Sequence, residues 1–120
     1  MSRDTVNQIC ADLPVAEVSD PWESSTGGGG HDAWKVGGKM FATIGARGDG
    51  VAVKCATIED ALQLEDIFGW PKAPYFHRSW VHIPLDADPD ELRHRIFTSY
   101  QIVRTSLTKK AQAALPPMKG

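Results

Sequence analysis

The chain has 120 residues, 42% hydrophobic and 23% charged, with a formal net charge of −2. That length suits one domain, residues 1–120, able to bury a core without disulfides or a structural metal. The composition excludes a disordered, collagenous or disulfide-scaffold chain, and no apolar run approaches the ~20 residues of a membrane helix.

Met1-Ser2-Arg3-Asp4 opens no secretory signal. Cys10 and Cys55, outside any Cys-x-x-Cys motif, fit a reducing cytoplasm. The net charge argues against a uniformly basic nucleic-acid coat, yet it hides an asymmetry. Residues 1–34 hold one base and six acids, whereas 35–120 hold twelve bases and nine acids. From Arg93 onward there are six bases and no acid. A local basic face is therefore compatible with the total.

The first predicted helix is capped by Ser2 or Asp4, carries Val6, Ile9, Cys10 and Leu13 on one stripe, and ends at Pro14. Val15 to Asp32, with four glycines at 27–30, reads as a loop with a short strand near Trp22. The period then becomes two. Trp34–Val36 and Lys39–Ile44 form strands joined at Gly37-Gly38, and a longer turn over Gly45–Gly50 leads to a strand at Val51–Cys55. Thr57 caps a second helix that Gly69 ends. Tyr75–His77 and Trp80–Leu85 read as strands. Asp88, Pro89 and Glu91 open a last helix of about 20 residues, with Ala111–Leu115 as an extension before Pro116-Pro117. The order predicts an α+β fold, an antiparallel sheet covered on one face by helices.

Alternation assigns Val51, Val53, Cys55, Val81, Ile83 and Leu85 to the core. The second face carries Lys54, Trp80 and His82, with Trp34 or Lys35 depending on register. Such a surface suits base stacking or docking, unless a loop, such as the one holding Trp22, covers the tryptophans.

Motifs for chemistry are missing. Gly38-Lys39 fails as a phosphate loop, because Ala33 replaces the upstream glycine and Met40 follows the lysine. His77 and His82 lack partners at metal-ligand spacing, so neither metal nor cofactor is expected. His31-Asp32 beside the glycine run lacks preorganisation for catalysis. No nucleophile elbow is present. Ser99 reads as a hydrogen-bonded packing residue, and Cys10 and Cys55 as inert buried thiols. The chain is not expected to be an enzyme.

The ordered set Trp34-Lys35-Val36-Gly37-Gly38-Lys39-Met40-Phe41-Ala42, Val51-Ala52-Val53-Lys54, Ala73-Pro74-Tyr75-Phe76, Ser79-Trp80-Val81 and Ser99-Tyr100-Gln101-Ile102-Val103 resembles the MmcQ/YjbR family. The resemblance implies a frataxin-like (CyaY-like) fold and a small, mostly bacterial, cytoplasmic protein. It also implies DNA binding through a double-wing arrangement of hairpins around Gly37-Gly38 and Gly45–Gly50. Carried onto this chain, the DNA-binding candidates are Lys35, Lys39, Arg47, Lys54, Arg78 and Trp80. The alternative is a non-enzymatic small-molecule or protein-interaction module with a pocket of Trp34, Tyr75, Trp80 and His82, next to Arg78. Frataxin's iron role suggests a third use, for Asp4, Asp12, Glu17, Asp20 and Glu23. A monomer without membrane association is expected.

Overall fold

The structure, a computed structural model, describes residues 1–19, 31–45, 48–73 and 76–115. Helix α1 (Arg3–Ala11) is capped by Ser2, whose Oγ accepts the Thr5 N–H at 3.1 Å. Five strands follow: β1 (Glu17–Ser19), β2 (Asp32–Val36), β3 (Lys39–Ile44), β4 (Gly50–Lys54) and, after α2 (Ile58–Phe68), β5 (Trp80–Pro84). They form one antiparallel sheet in chain order. Helix α3 (Pro89–Ser106) and the short α4 (Lys109–Ala113) complete the fold. The α+β arrangement with an antiparallel sheet is as read from the sequence.

The caps agree with the expected chemistry. Thr57 Oγ1 accepts the Asp60 N–H, Gly69 ends α2 at φ 70°, and Asp88 Oδ2 accepts the Glu91 N–H. The last helix, however, stops at Ser106 instead of running on. The Thr105 and Ser106 hydroxyls donate back to carbonyls of Gln101, Ile102 and Val103, and Leu107 turns extended before Thr108 caps α4. Leu107 is thereby released to pack on the β2–β3 hairpin, where a Cβ on Gly37 would stand 2.5 Å from its Cδ1.

One further expectation falls outside the described residues and another fails. The first edge strand is Glu17–Ser19; Trp22 lies outside the described residues. In the segment expected as a strand at 75–77, residues 76–79 form a turn instead, while Pro74 and Tyr75 lie outside the described residues. The turn is closed by the Trp80 N–H donating to the His77 carbonyl at 2.9 Å. The outer edge of β5 meets Lys72, which bridges to Val81, and the His82 N–H donates to the Pro71 carbonyl.

The core lies between the sheet and the helices. Trp34, Ala42, Val53 and Val81 form one cross-sheet row, and Ile44, Val51 and Ile83 another, all facing Val6, Cys10, Ile96 and Tyr100. A bulge at Trp34/Lys35 sets this register. It leaves Phe41 and Ala42 both on the core side, where Phe41 meets Tyr100 edge-on at 5.2 Å. None of the described helices is long and apolar enough to cross a membrane.

Candidate functional site

The bulge settles which residues reach the second sheet face. Trp34 points beneath the helices, where its Nε1–H donates to Asn7 Oδ1 at 2.9 Å. Lys35 takes the second face, opposite Met40 on β3 and Glu17 on β1. Ala33, Thr43, Ala52 and His82 form one row of that face, and Lys54 stands beside Trp80 in the next. Lys39, alternating with Met40, turns to the helix side at the end of the hairpin. Arg47 and Tyr75 lie outside the described residues. The four-residue pocket of Trp34, Tyr75, Trp80 and His82 therefore does not assemble, because strand alternation puts Trp34 on the opposite side from Trp80 and His82.

Trp80 is not an open aromatic platform. It is 8% exposed and packs with Ala52 and Ala73, with the Phe76 ring tilted 30° against it at 4.7 Å between ring centres. Among the described residues, Ala73 and Phe76 cover it from beyond the sheet; the Trp22 region considered from sequence lies outside the described residues. His82 is half-buried beside Asp49, at 3.8 Å from Nε2 to Oδ1. A Cβ on Gly50 would collide with the His82 imidazole, so glycine makes room for that ring.

The turn leading into β5 is locked by a chain of hydrogen bonds that the sequence reading missed. Lys54 Nζ donates to Ser79 Oγ at 3.1 Å, and the Ser79 hydroxyl lies 2.9 Å from His77 Nδ1. The Ser79 N–H donates to that same nitrogen at 3.1 Å. His77 Nδ1 is thus an acceptor, and the Ser79 hydroxyl donates to it while accepting from Lys54. The His-x-Ser spacing was legible; that Lys54 comes from a neighbouring strand was not. The Ser79 carbonyl also accepts the Cys55 N–H at 2.7 Å. The arrangement holds Lys54 and the 77–79 turn in fixed geometry. Ser79 is 3% exposed, which suits this bracing role.

Beside the turn lies a partly enclosed cleft of about 120 Å³. Ile58 and Leu62 of α2 form one apolar wall, and Ala73, Phe76 and Trp80 the other. Lys72, His77 and Arg78 supply basic groups, and Glu65 a carboxylate. A larger hollow of about 400 Å³ along α3 is open, and Gln112 on its wall already donates to the Thr105 and Leu107 carbonyls.

Among the described residues, the arginines whose carboxylate partners are seen lie on helices, while Lys39, and Lys109 and Lys110 of α4, form no ion pair. On the helices, Arg3 pairs with Asp32 at 2.9 Å, Arg93 with Asp90, and Arg95 with Glu91 at 2.7 Å. Among the described residues, Lys35, Lys54, Lys72 and Arg78 form no ion pair. Also among the described residues, no group of three His, Cys, Asp or Glu side chains is placed to hold a metal. Of the acids considered for iron, Asp20 and Glu23 lie outside the described residues. Both thiols are buried, and burial pushes Cys10 up to about 12. Burial also raises Cys55, against a smaller opposing effect of the Arg95 charge.

Comparisons with known proteins agree with this architecture. The crystal structure of Deinococcus radiodurans protein DR2400, described as carrying the domain DUF419, superposes with a TM-score of 0.79. The match covers 98% of this chain and 91% of that one at 19% identity, a likeness of fold. No curated protein matches the sequence. The sequence pattern of the YjbR family matches residues 11–102, from the end of α1 through most of α3, and so takes in the whole sheet and the cleft. The chain belongs to the YjbR family.

Proposed function

We propose that the protein is a non-enzymatic, cytoplasmic nucleic-acid-binding module whose basic contact surface is the second sheet face and its β5 edge. The observation that carries the reading is the grouping of four cations without carboxylate partners along the second sheet face and its β5 edge. Arg3, Arg93 and Arg95 are neutralised by carboxylates, whereas, among the described residues, Lys35, Lys54, Lys72 and Arg78 stand without one. Unpaired cations along one surface are the electrostatic requirement for phosphate contact. Bracing by Ser79 holds Lys54 in position before any ligand arrives, and two free, buried thiols suit a reducing compartment.

This reading shifts the contact away from mobile wings. The Gly37-Gly38 hairpin is held down by Leu107, and Lys39 sits at its helix-side end. Lys35 and Lys54 project two strands apart on the same face, a separation of about 10 Å at the usual strand spacing. Arg78 and Lys72 extend the set past β5.

Anisotropy titration of a labelled duplex at several salt concentrations tests the proposal. Saturable binding is expected, with log K falling linearly against log salt by about 0.9 per phosphate contacted. The Lys35→Ala/Lys54→Ala double variant should flatten that slope by about 2. Absence of saturable binding to duplex or single strand at tens of micromolar protein in low salt would refute it.

A further inference from the structure

We infer that the cleft between α2 and Lys72, Ala73, Phe76, Arg78 and Trp80 receives one unstacked nucleobase, so that the protein holds single strands in preference to duplex. This rests on the nucleic-acid reading above and adds the form of the ligand.

The first argument is size. At about 120 Å³ the cleft is well below the ~300–1,000 Å³ of sites that enclose drug-sized ligands. It is close to the ~150 Å³ cavity known to hold a benzene ring. One ring system fits, entering from the open side while the rest of its chain stays outside.

The second argument is the chemistry of the walls. Leu62, on the exposed side of α2, faces the Phe76 and Trp80 pair across the cleft. Aliphatic and aromatic surfaces are what the face of a base prefers, whatever its identity. Glu65 offers an acceptor for an exocyclic amine. Lys72 and Arg78 stand beside the ring site, so an occupant that joins a flat ring to an adjacent anion satisfies both.

The third argument separates a strand from a small aromatic acid. The unpaired cations do not end at the cleft. Lys54 adjoins it across Trp80, and Lys35 lies further along the same face. A single carboxylate would use Lys72 or Arg78 and leave the others idle, whereas a polyanion uses the row. A base already paired and stacked in duplex must be unstacked before it enters such a cleft, so an unpaired strand is favoured.

Three labelled probes of equal length separate the possibilities by anisotropy: a single strand, the same strand with abasic residues throughout and therefore the same phosphate charge, and a duplex, whose higher charge density by itself favours the duplex. The intact strand is expected to bind at least about fivefold tighter than the abasic strand, and tighter than the duplex. Leu62→Glu should erase the difference between intact and abasic strands. Ile67→Glu, on the opposite flank of α2 and 70% exposed, should keep it. Thermal melts check that both variants fold. Equal affinity for intact and abasic strands, with both saturating, would overturn the base-binding inference while leaving the phosphate reading in place. Failure of all three probes to bind would remove both. If phenyl phosphate shifts the Ala73 and Phe76 amide signals and no oligonucleotide does, the cleft is a small-molecule site and the inference is wrong.

Discussion

The hydroxyl of Ser99 and the backbone amide of Lys54 are joined across the layers of the fold. The Lys54 N–H donates to Ser99 Oγ at 2.8 Å, and Ser99 Oγ donates in turn to the Phe41 carbonyl at 2.6 Å. The β3–β4 pairing runs no further than Ala42 opposite Val53, and beyond it the Ser99 hydroxyl of α3 bridges the Phe41 carbonyl and the Lys54 N–H. One fully buried serine therefore satisfies two strand groups and fixes α3 on the sheet beside the residue whose amine reaches Ser79.

Ser99→Ala should consequently destabilise the protein out of proportion to its size. It leaves a buried N–H and a buried C=O without partners, and the expected loss is about 2–4 kcal/mol. Urea denaturation reads this directly. A change below about 0.5 kcal/mol would show that the bridge contributes little.

Gly37→Ala should also destabilise, by about 1–3 kcal/mol, through two effects. Gly37 has φ 57°, and its added Cβ would press on Leu107. The double variant Gly37→Ala/Leu107→Ala should show non-additive losses in a double-mutant cycle, because removing the leucine relieves the clash but not the backbone strain.

Val15 has φ 52°, a left-handed conformation that a β-branched residue rarely adopts. The neighbouring Pro14 carbonyl is held by the Tyr100 hydroxyl at 2.6 Å, and that hydroxyl also accepts from the buried Arg104 at 2.8 Å. The contact on α3 thus helps fix the chain reversal after α1. Val15→Asn should raise stability by roughly 1 kcal/mol, since Asn tolerates this region and Val15 is 44% exposed. A thermal melt of the variant, expected to shift upward by several degrees, tests it.

Cys10 links stability to alkaline pH. Its thiol is held up at about 12 by burial, against an ordinary value of 9.0. Above pH 9 the unfolded chain loses this proton while the folded chain keeps it, so stability falls as pH rises from 9 towards 12. The slope from this group is about 1.4 kcal/mol per pH unit. Cys10→Ala should flatten the decline of denaturation midpoint over that window. The native protein should also resist thiol alkylation at pH 8, because the thiol is both buried and protonated.

Much of the architecture was legible because it rests on local chemistry. Ser2, Thr57 and Asp88 cap helices for reasons contained in four or five residues, and Gly69 ends α2 by a conformation other residues resist. The alternation in β4 and β5 correctly assigned Val51, Val53, Val81 and Ile83 to the core, and Ser99 is the hydrogen-bonded packing residue its position suggested. Tertiary structure decided what alternation leaves free. A single extra residue at the bulge chose Lys35 over Trp34 for the second face, and no local preference announces that choice. The turn at 76–79 replaced a plausible strand because His77, Ser79 and Lys54 satisfy one another only once β4 and β5 are paired. The cleft likewise has no sequence signature. Ile58 and Leu62 lie outside α2's buried pair, Ala61 and Leu64, and they become a wall only when Phe76 and Trp80, more than ten positions downstream, are brought to face them.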